Sequence, residues 1–227
     1  MKKILLLMIA IVFVFSTKNA YALEARWDKI YETEYGVTYV DVQTIMQDGR
    51  NVFFWVRDNN KKNSDYYLKK YYIVTDTKML YQVNEIKYMN DGPHNIPVNP
   101  GAANPRYKIC PDSNEENIVN HVLRKVGLPK LYPQNTWKWF HSTDKTSYYI
   151  ASRACYINDV RKFVAWVKTT SLSGYTTVRP YIIDIEKSKI RTTYGDYQMI
   201  IPDTIQERVF NAAKELYDMG SYDKSPN

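Results

Sequence analysis

A tryptophan-marked pattern runs through the chain twice. Its first copy is Ala25-Arg26-Trp27-Asp28-Lys29-Ile30, then Val37-Thr38-Tyr39-Val40, then Val52-Phe53-Phe54-Trp55-Val56-Arg57. The second is Thr136-Trp137-Lys138-Trp139-Phe140, then Ser147-Tyr148-Tyr149-Ile150, then Phe163-Val164-Ala165-Trp166-Val167-Lys168. The copies stand 110 residues apart at Trp27/Trp137 and Tyr39/Tyr149, and 111 apart at Trp55/Trp166. So small a drift marks one supersecondary unit used twice, and it confines the chain to two like units in tandem. Trp27, Trp55, Trp137 and Trp166 are expected to be signature core positions of those units.

Each copy reads mostly as strand. Tyr, Val, Ile, Thr, Phe and Trp dominate, with polar breaks such as Gln47-Asp48-Gly49-Arg50-Asn51 and Ile157-Asn158-Asp159. Val52 to Arg57 is apolar on both faces, and Phe163 to Lys168 repeats this, so both strands are expected to be central and covered on both sides. A helix follows in each copy. Ser113-x-x-Glu116 is a capping box before Ile118, Val119, Val122, Leu123 and Val126, with Gly127 at the stop. Pro202-Asp203 similarly precedes Ile205, Val209, Ala212, Ala213 and Leu216, with Gly220 after them. The helices correspond at an offset of 91, so the first copy holds extra residues before its helix. Those residues form a proline-rich stretch over 92–111, expected to be a loop and not a strand.

The amino terminus addresses the chain for export. Lys2-Lys3, the apolar run Ile4 to Phe15 and Ala20-Tyr21-Ala22 predict a signal peptide over 1–22, cleaved after Ala22. That run is too short to cross about 30 Å of hydrocarbon. Losing Lys2, Lys3 and Lys18, and no acids, lowers the net charge from +7 to +4, with charges interspersed. So mild an excess suits an anionic envelope and falls short of a nucleic-acid footprint. No Cys follows Ala22 until Cys110 and the end carries no apolar tail, so no membrane span is expected after cleavage. The expected location is periplasm, cell surface or medium. Cys110 and Cys155 are expected to pair in an oxidising compartment, closing a 45-residue loop and adding roughly 4 kcal/mol.

The order of the motifs resembles a known family. A Trp-bearing first strand leads to Tyr39-Val40-Asp41, a polar turn and the Phe54-Trp55-Val56-Arg57 strand. Tyr181-Ile182-Ile183-Asp184 with Lys187 and Arg191, and a Pro-led terminal helix, complete the unit in the second copy. This is similar to the surface-adhesin protein E family of bacterial envelope proteins, over roughly 24–126 and 136–218. The resemblance implies an α+β fold of two tandem repeats. Each would be a mainly antiparallel sheet of about six strands with a C-terminal helix packed on one face. It also implies adhesin-like binding of host matrix proteins, and a pseudo-dimer within one chain. The expected divisions are a first repeat over 23–127, a linker over 128–135, a second repeat over 136–220 and a disordered tail over 221–227.

Chemistry-bearing patterns are sparse. His94, His121 and His141 lie on three separate elements without metal-ligand spacing. Asp41, Asp76 and Asp184 sit at strand ends, where a carboxylate ordinarily caps backbone amides. Glycine-rich phosphate loops and nucleophile elbows are absent from the sequence. No catalytic residue, cofactor or metal is therefore expected. The densest unusual patch spans residues 61–72, where Tyr66, Tyr67, Lys69, Lys70 and Tyr71 are candidate contacts for a protein or glycan ligand. A sheet edge guarded by lysines is the competing explanation. The whole reads as an exported, non-enzymatic, adhesin-like binding protein of the bacterial envelope or surface. A soluble periplasmic partner of an envelope assembly is the alternative.

Overall fold

The structure, a computed structural model, describes residues 26–98, 107–193 and 195–226; the expected signal peptide lies outside them. The chain divides into two compact units. Among the described residues, one gathers 26–74, 80–98 and 118–128, and the other 75–79, 107–117 and 129–226. The expected boundary therefore shifts, since a turn and the segment 107–117 belong to the second unit although they precede residue 128.

The first unit is a seven-stranded antiparallel sheet, one strand more than expected. Its strands are β1 (Trp27–Glu32), β2 (Gly36–Asp41), β3 (Met46–Asp48), β4 (Asn51–Asn60), β5 (Tyr66–Val74), β6 (Met79–Met89) and β7 (Gly92–Ile96). They lie in the order β1-β2-β4-β5-β6-β7, with β3 also on β4. Gly36 lets β2 lie close to β4, because a Cβ there would meet the Asn59 carbonyl oxygen at 2.6 Å. Strand β7 corrects the expected loop over 92–111. Gly92 to Ile96 pair with Met89 to Glu85, and an outermost strand tolerates Pro93 because one side of its backbone needs no ladder partner.

The second unit also has seven strands. They are β8 (Trp137–Ser142), β9 (Thr146–Ala151), β10 (Tyr156–Ile157), β11 (Phe163–Ser171), β12 (Thr176–Asp184), β13 (Lys189–Thr192) and β14 (Gln198–Met199). Their order is β8-β9-β11-β12-β13-β14, with β10 also on β11. The two helices are α1 (Asn114–Lys125) and α2 (Ile205–Asp218). Both begin with a reciprocal cap. Ser113 Oγ accepts from Glu116 N, while Glu116 Oε2 accepts from Asp112 N. Thr204 Oγ1 and Glu207 Oε2 do the same for Glu207 N and Asp203 N.

Each sheet buries one face under helical residues. In the first unit Val40, Val52, Phe54, Val56 and Ile73 are buried, as are Val119, Val122 and Leu123 of α1. Asp28, on the Val40 side of β1 by register, accepts from His121 and is paired with Lys125 of that helix. In the second, α2 contributes Val209, Phe210, Ala213 and Leu216, while Phe163, Ala165, Val167, Ile150 and Ile183 are buried on the sheet.

Strand β11 is buried on its second face too. Val164, Trp166 and Ile182 have almost no exposed surface. Tyr107 packs edge-on against Trp166 at 6.5 Å, and Lys108 N donates to the Tyr156 hydroxyl. The segment from 107 onward is thus packed against this sheet and is no free loop. The expected linker 128–135 is likewise partly core: Leu131 and Tyr132 are buried, and the Tyr132 hydroxyl donates to the Ile109 carbonyl.

Two further expectations are overturned. Both cysteines are free thiols. Cys155 is fully buried with Sγ donating to the Ala151 carbonyl, and Cys110 Sγ turns to the carbonyl of Pro111, so local acceptors hold both sulfurs. Burial first, and for Cys110 the nearby carboxylates of Glu115, Glu116 and Asp112 next, push both thiols up to about 12. The tail expected to be disordered is bound through residue 226. Asp223 N donates to the Cys155 carbonyl, and Asp223 pairs with Lys78 and the fully buried Lys108. The Lys108 ammonium also donates to the Ser225 carbonyl and Oγ. A buried ammonium needs such acceptors, and only the tail supplies these.

Candidate binding face

Strand β4 separates two surfaces of the first sheet. Val52, Phe54 and Val56 are buried, whereas Phe53, Trp55 and Arg57 between them are half-buried. The register carries this alternation into β5. Phe54↔Tyr71, Val56↔Lys69 and Asp58↔Tyr67 share the face that meets α1. Phe53↔Tyr72, Trp55↔Lys70, Arg57↔Leu68 and Asn59↔Tyr66 share the other.

The five candidate residues are therefore divided. Tyr67, Lys69 and Tyr71 belong to internal structure. Lys69 Nζ donates to Asp58 at 2.9 Å, and the Thr38 hydroxyl donates to the same carboxyl group. Burial works to lower the Lys69 pKa, yet Asp58, helped by Glu85 and Tyr31, carries it above the ordinary lysine value. Tyr71 stacks on Phe54, and Tyr67 receives Lys69 and Lys87 over its ring. Nor does β5 form an edge, since it lies between β4 and β6. Its lysines cannot be edge guards.

Tyr66 and Lys70 stand on the other face, in a ladder of rings and cations. Phe53 meets Tyr72 at 5.4 Å, and Tyr72 stacks on Tyr81 at 4.8 Å with planes 8° apart. Lys70 Nζ lies 5.9 Å from the centre of the Trp55 ring. The Arg57 guanidinium lies 4.3 Å over Tyr66, which stacks on Tyr88 at 4.6 Å. Arg57 donates to Asn59 Oδ1, but neither Arg57 nor Lys70 has a carboxylate partner among the described residues. Their charge is met by π faces and, for Arg57, by one neutral amide oxygen, so it remains available to an anion.

Arg57, Tyr81 and Tyr88 were not among the sequence candidates. The turn between β5 and β6 offered a signal, because Tyr72 and Tyr81 are equidistant from it. Of the four signature tryptophans only Trp166 is core; Trp27, Trp55 and Trp137 are half-buried. Trp137 is held by a bond from Nε1 to Asp112 and by Lys168 at 4.4 Å over its ring.

The remaining candidates stay apart. His94 faces Asp91, His121 faces Asp28, and His141 lies against Tyr148. Asp41, Asp76 and Asp184 each accept from a nearby backbone amide, those of Gln43, Thr77 and Lys187. Among the described residues no three His, Cys, Asp or Glu side chains are placed so as to hold a metal ion. No helix among them is long and apolar enough to cross a membrane. Comparison with known proteins finds no matching family model, curated protein or solved structure.

Proposed function

We propose that this chain is an exported, non-enzymatic binding protein of the bacterial envelope or surface, built from two tandem adhesin-E-like units. Support for the duplication comes from matching details at the sequence offsets. The two sheets share one strand order. Trp27↔Asp41 and Trp137↔Ala151 open the first strand pair of each, and both pairs bulge two residues later, at Lys29/Tyr31 and Trp139/His141. Lys78 and Ser188 share a left-handed backbone in corresponding turns, and Asp112 and Asp203 share one before the helices.

The observation that carries the binding role is the ladder of Phe53, Trp55, Arg57, Tyr66, Lys70 and Tyr72 on the face opposite α1. Flat π surfaces stack on the apolar faces of sugars or on protein side chains, and cations beside them fix acidic groups.

The test uses intact cells and the purified mature protein. Antibody labelling of intact cells should be positive, and the protein should bind immobilised matrix glycoproteins. The double variant W55A/K70Q should weaken that binding at least tenfold, the sum expected for losing one stacking and one cation–π contact. Protection from antibody until the outer layer is breached would overturn the surface role. Unchanged binding by the folded double variant would overturn the face.

A further inference from the structure

A second recessed surface lies wholly within the second unit, and nothing in the binding reading above uses it. It is a cleft of about 620 Å³ over the part of the sheet beyond the start of α2, with Ile205 and Gln206 of that helix in its wall. That volume is within the roughly 300–1,000 Å³ typical of small-molecule sites. Val167 and Ile190 supply its apolar lining, and Tyr148, Thr169, Arg179 and Tyr181 its polar one.

The polar groups are left unspent. Arg179 lies opposite Val167, makes no ion pair among the described residues, and is exposed. The Tyr148 and Tyr181 hydroxyls make no hydrogen bond among the described residues. The Thr169 and Thr177 hydroxyls bond one another at 2.7 Å, which leaves lone pairs and one proton facing outward. Asp196 adds an acceptor at the rim. Burial raises the Tyr181 pKa, Tyr148 raises it further and Arg179 pulls it back, which places the three groups together. Three lysines of this unit, Lys108, Lys162 and Lys168, reach carboxylates. Arg191 lines the cleft as well, with its guanidinium 4.7 Å over Tyr197 and its Nε buried without a hydrogen-bond partner, so two guanidinium groups and two unbonded phenols gather here.

We infer that this cleft binds a carboxylate-bearing sugar, of one to two rings. The groups named above each find a partner in that class. A guanidinium takes a carboxylate in bidentate fashion. Tyrosine rings cover the C–H face of a pyranose while their hydroxyls, with the threonine pair and Asp196, meet ring hydroxyls. A neutral sugar leaves Arg179 idle. A simple carboxylate or phosphate can accept from the hydroxyl groups but leaves the tyrosine rings uncovered, and Asp196 disfavours the more highly charged phosphate.

The experiment titrates the full mature chain with D-glucuronate, D-glucose, acetate and inorganic phosphate, followed by NMR of the protein amides. Glucuronate should saturate, with shifts around Thr169, Arg179 and Thr192, and bind at least tenfold tighter than glucose or acetate. R179Q should lose at least tenfold for glucuronate and approach the affinity for glucose, as expected when a charge-assisted bond goes. Because Arg179 is exposed, R179Q should fold with an unchanged unfolding midpoint. Y148F serves as a second variant and should weaken glucose and glucuronate alike. The inference is overturned if glucuronate does not saturate, or if phosphate or acetate binds as well. It is overturned equally if R179Q binds glucuronate like the parent. W55A/K70Q should leave glucuronate binding unchanged, which keeps this test separate from that of the first face.

Discussion

Trp55 and Trp166 occupy matching places in the sequence pattern and on central strands, yet their surroundings differ. Strand β11 is buried on both faces from Phe163 to Val167, and Trp166 is 4% exposed. Strand β4 alternates between buried and half-buried, and Trp55 lies on the half-buried side beneath Lys70. The second unit covers its sheet twice, with α2 on one side and the segment beginning at Tyr107 on the other. Among the described residues, the first has helical residues only on the face opposite Trp55. One motif thus has two surroundings: under the segment from Tyr107 the Trp166 indole is core, and on β4, where no second layer lies among the described residues, the Trp55 indole joins a ladder of rings and cations.

The largest test of that difference is a pair of alanine substitutions. W166A should cost about 3–5 kcal/mol as a large cavity opens in a packed interior. W55A should cost less, about 1–2 kcal/mol, since its ring is only partly buried and no closed cavity is left. Urea unfolding of both variants measures this, and equal losses would break the comparison. W166F sharpens it further. Trp166 Nε1 is buried without a hydrogen-bond partner, so removing it sacrifices no bond and the loss should be clearly smaller than for W166A.

The next effect concerns what secures the second layer. D223A removes a carboxylate shared by Lys78 and Lys108 and leaves a buried ammonium with only Ser225 as acceptor. A loss of about 3 kcal/mol is expected, read as a lower thermal midpoint. Cys155 should then react faster with a thiol reagent, because the Asp223 strand that covers its carbonyl is loosened. If the midpoint holds, the tail is not what closes this side of the unit.

The smallest effect is a pH dependence confined to the first unit. Burial holds the His121 ring below its usual value, against the pull of Asp28. The unfolded chain therefore takes up a proton near pH 6.5 before the folded one does, so this contribution is intact above that pH and is lost as pH falls through it. H121Q should flatten the slope of stability between pH 7 and 5. An unchanged slope would place the titrating group elsewhere.

Much of this was legible in the chain itself. The repeat spacing, the strand character of both copies and the two capped helices follow from side-chain periodicity and local cap chemistry, which act over a few residues. Alternation on β5 already set Tyr67, Lys69 and Tyr71 apart from Tyr66, Lys70 and Tyr72. Which set would be buried was not legible, because that depends on where α1 comes to rest. The cleft was invisible for a related reason: Tyr148, Thr169, Arg179 and Tyr181 come from three strands and acquire a common purpose only through their register.

Local order thus came from sequence alone, and coverage came from tertiary structure. Periodicity determines that a strand has two faces and what chemistry each displays. It does not determine whether a distant segment, such as Tyr107 to Ile109 or Asp223 to Ser225, returns to lie on one of them. That return is decided by burial energy and by buried charges such as Lys108 that require a partner, and both exist only once the chain is packed.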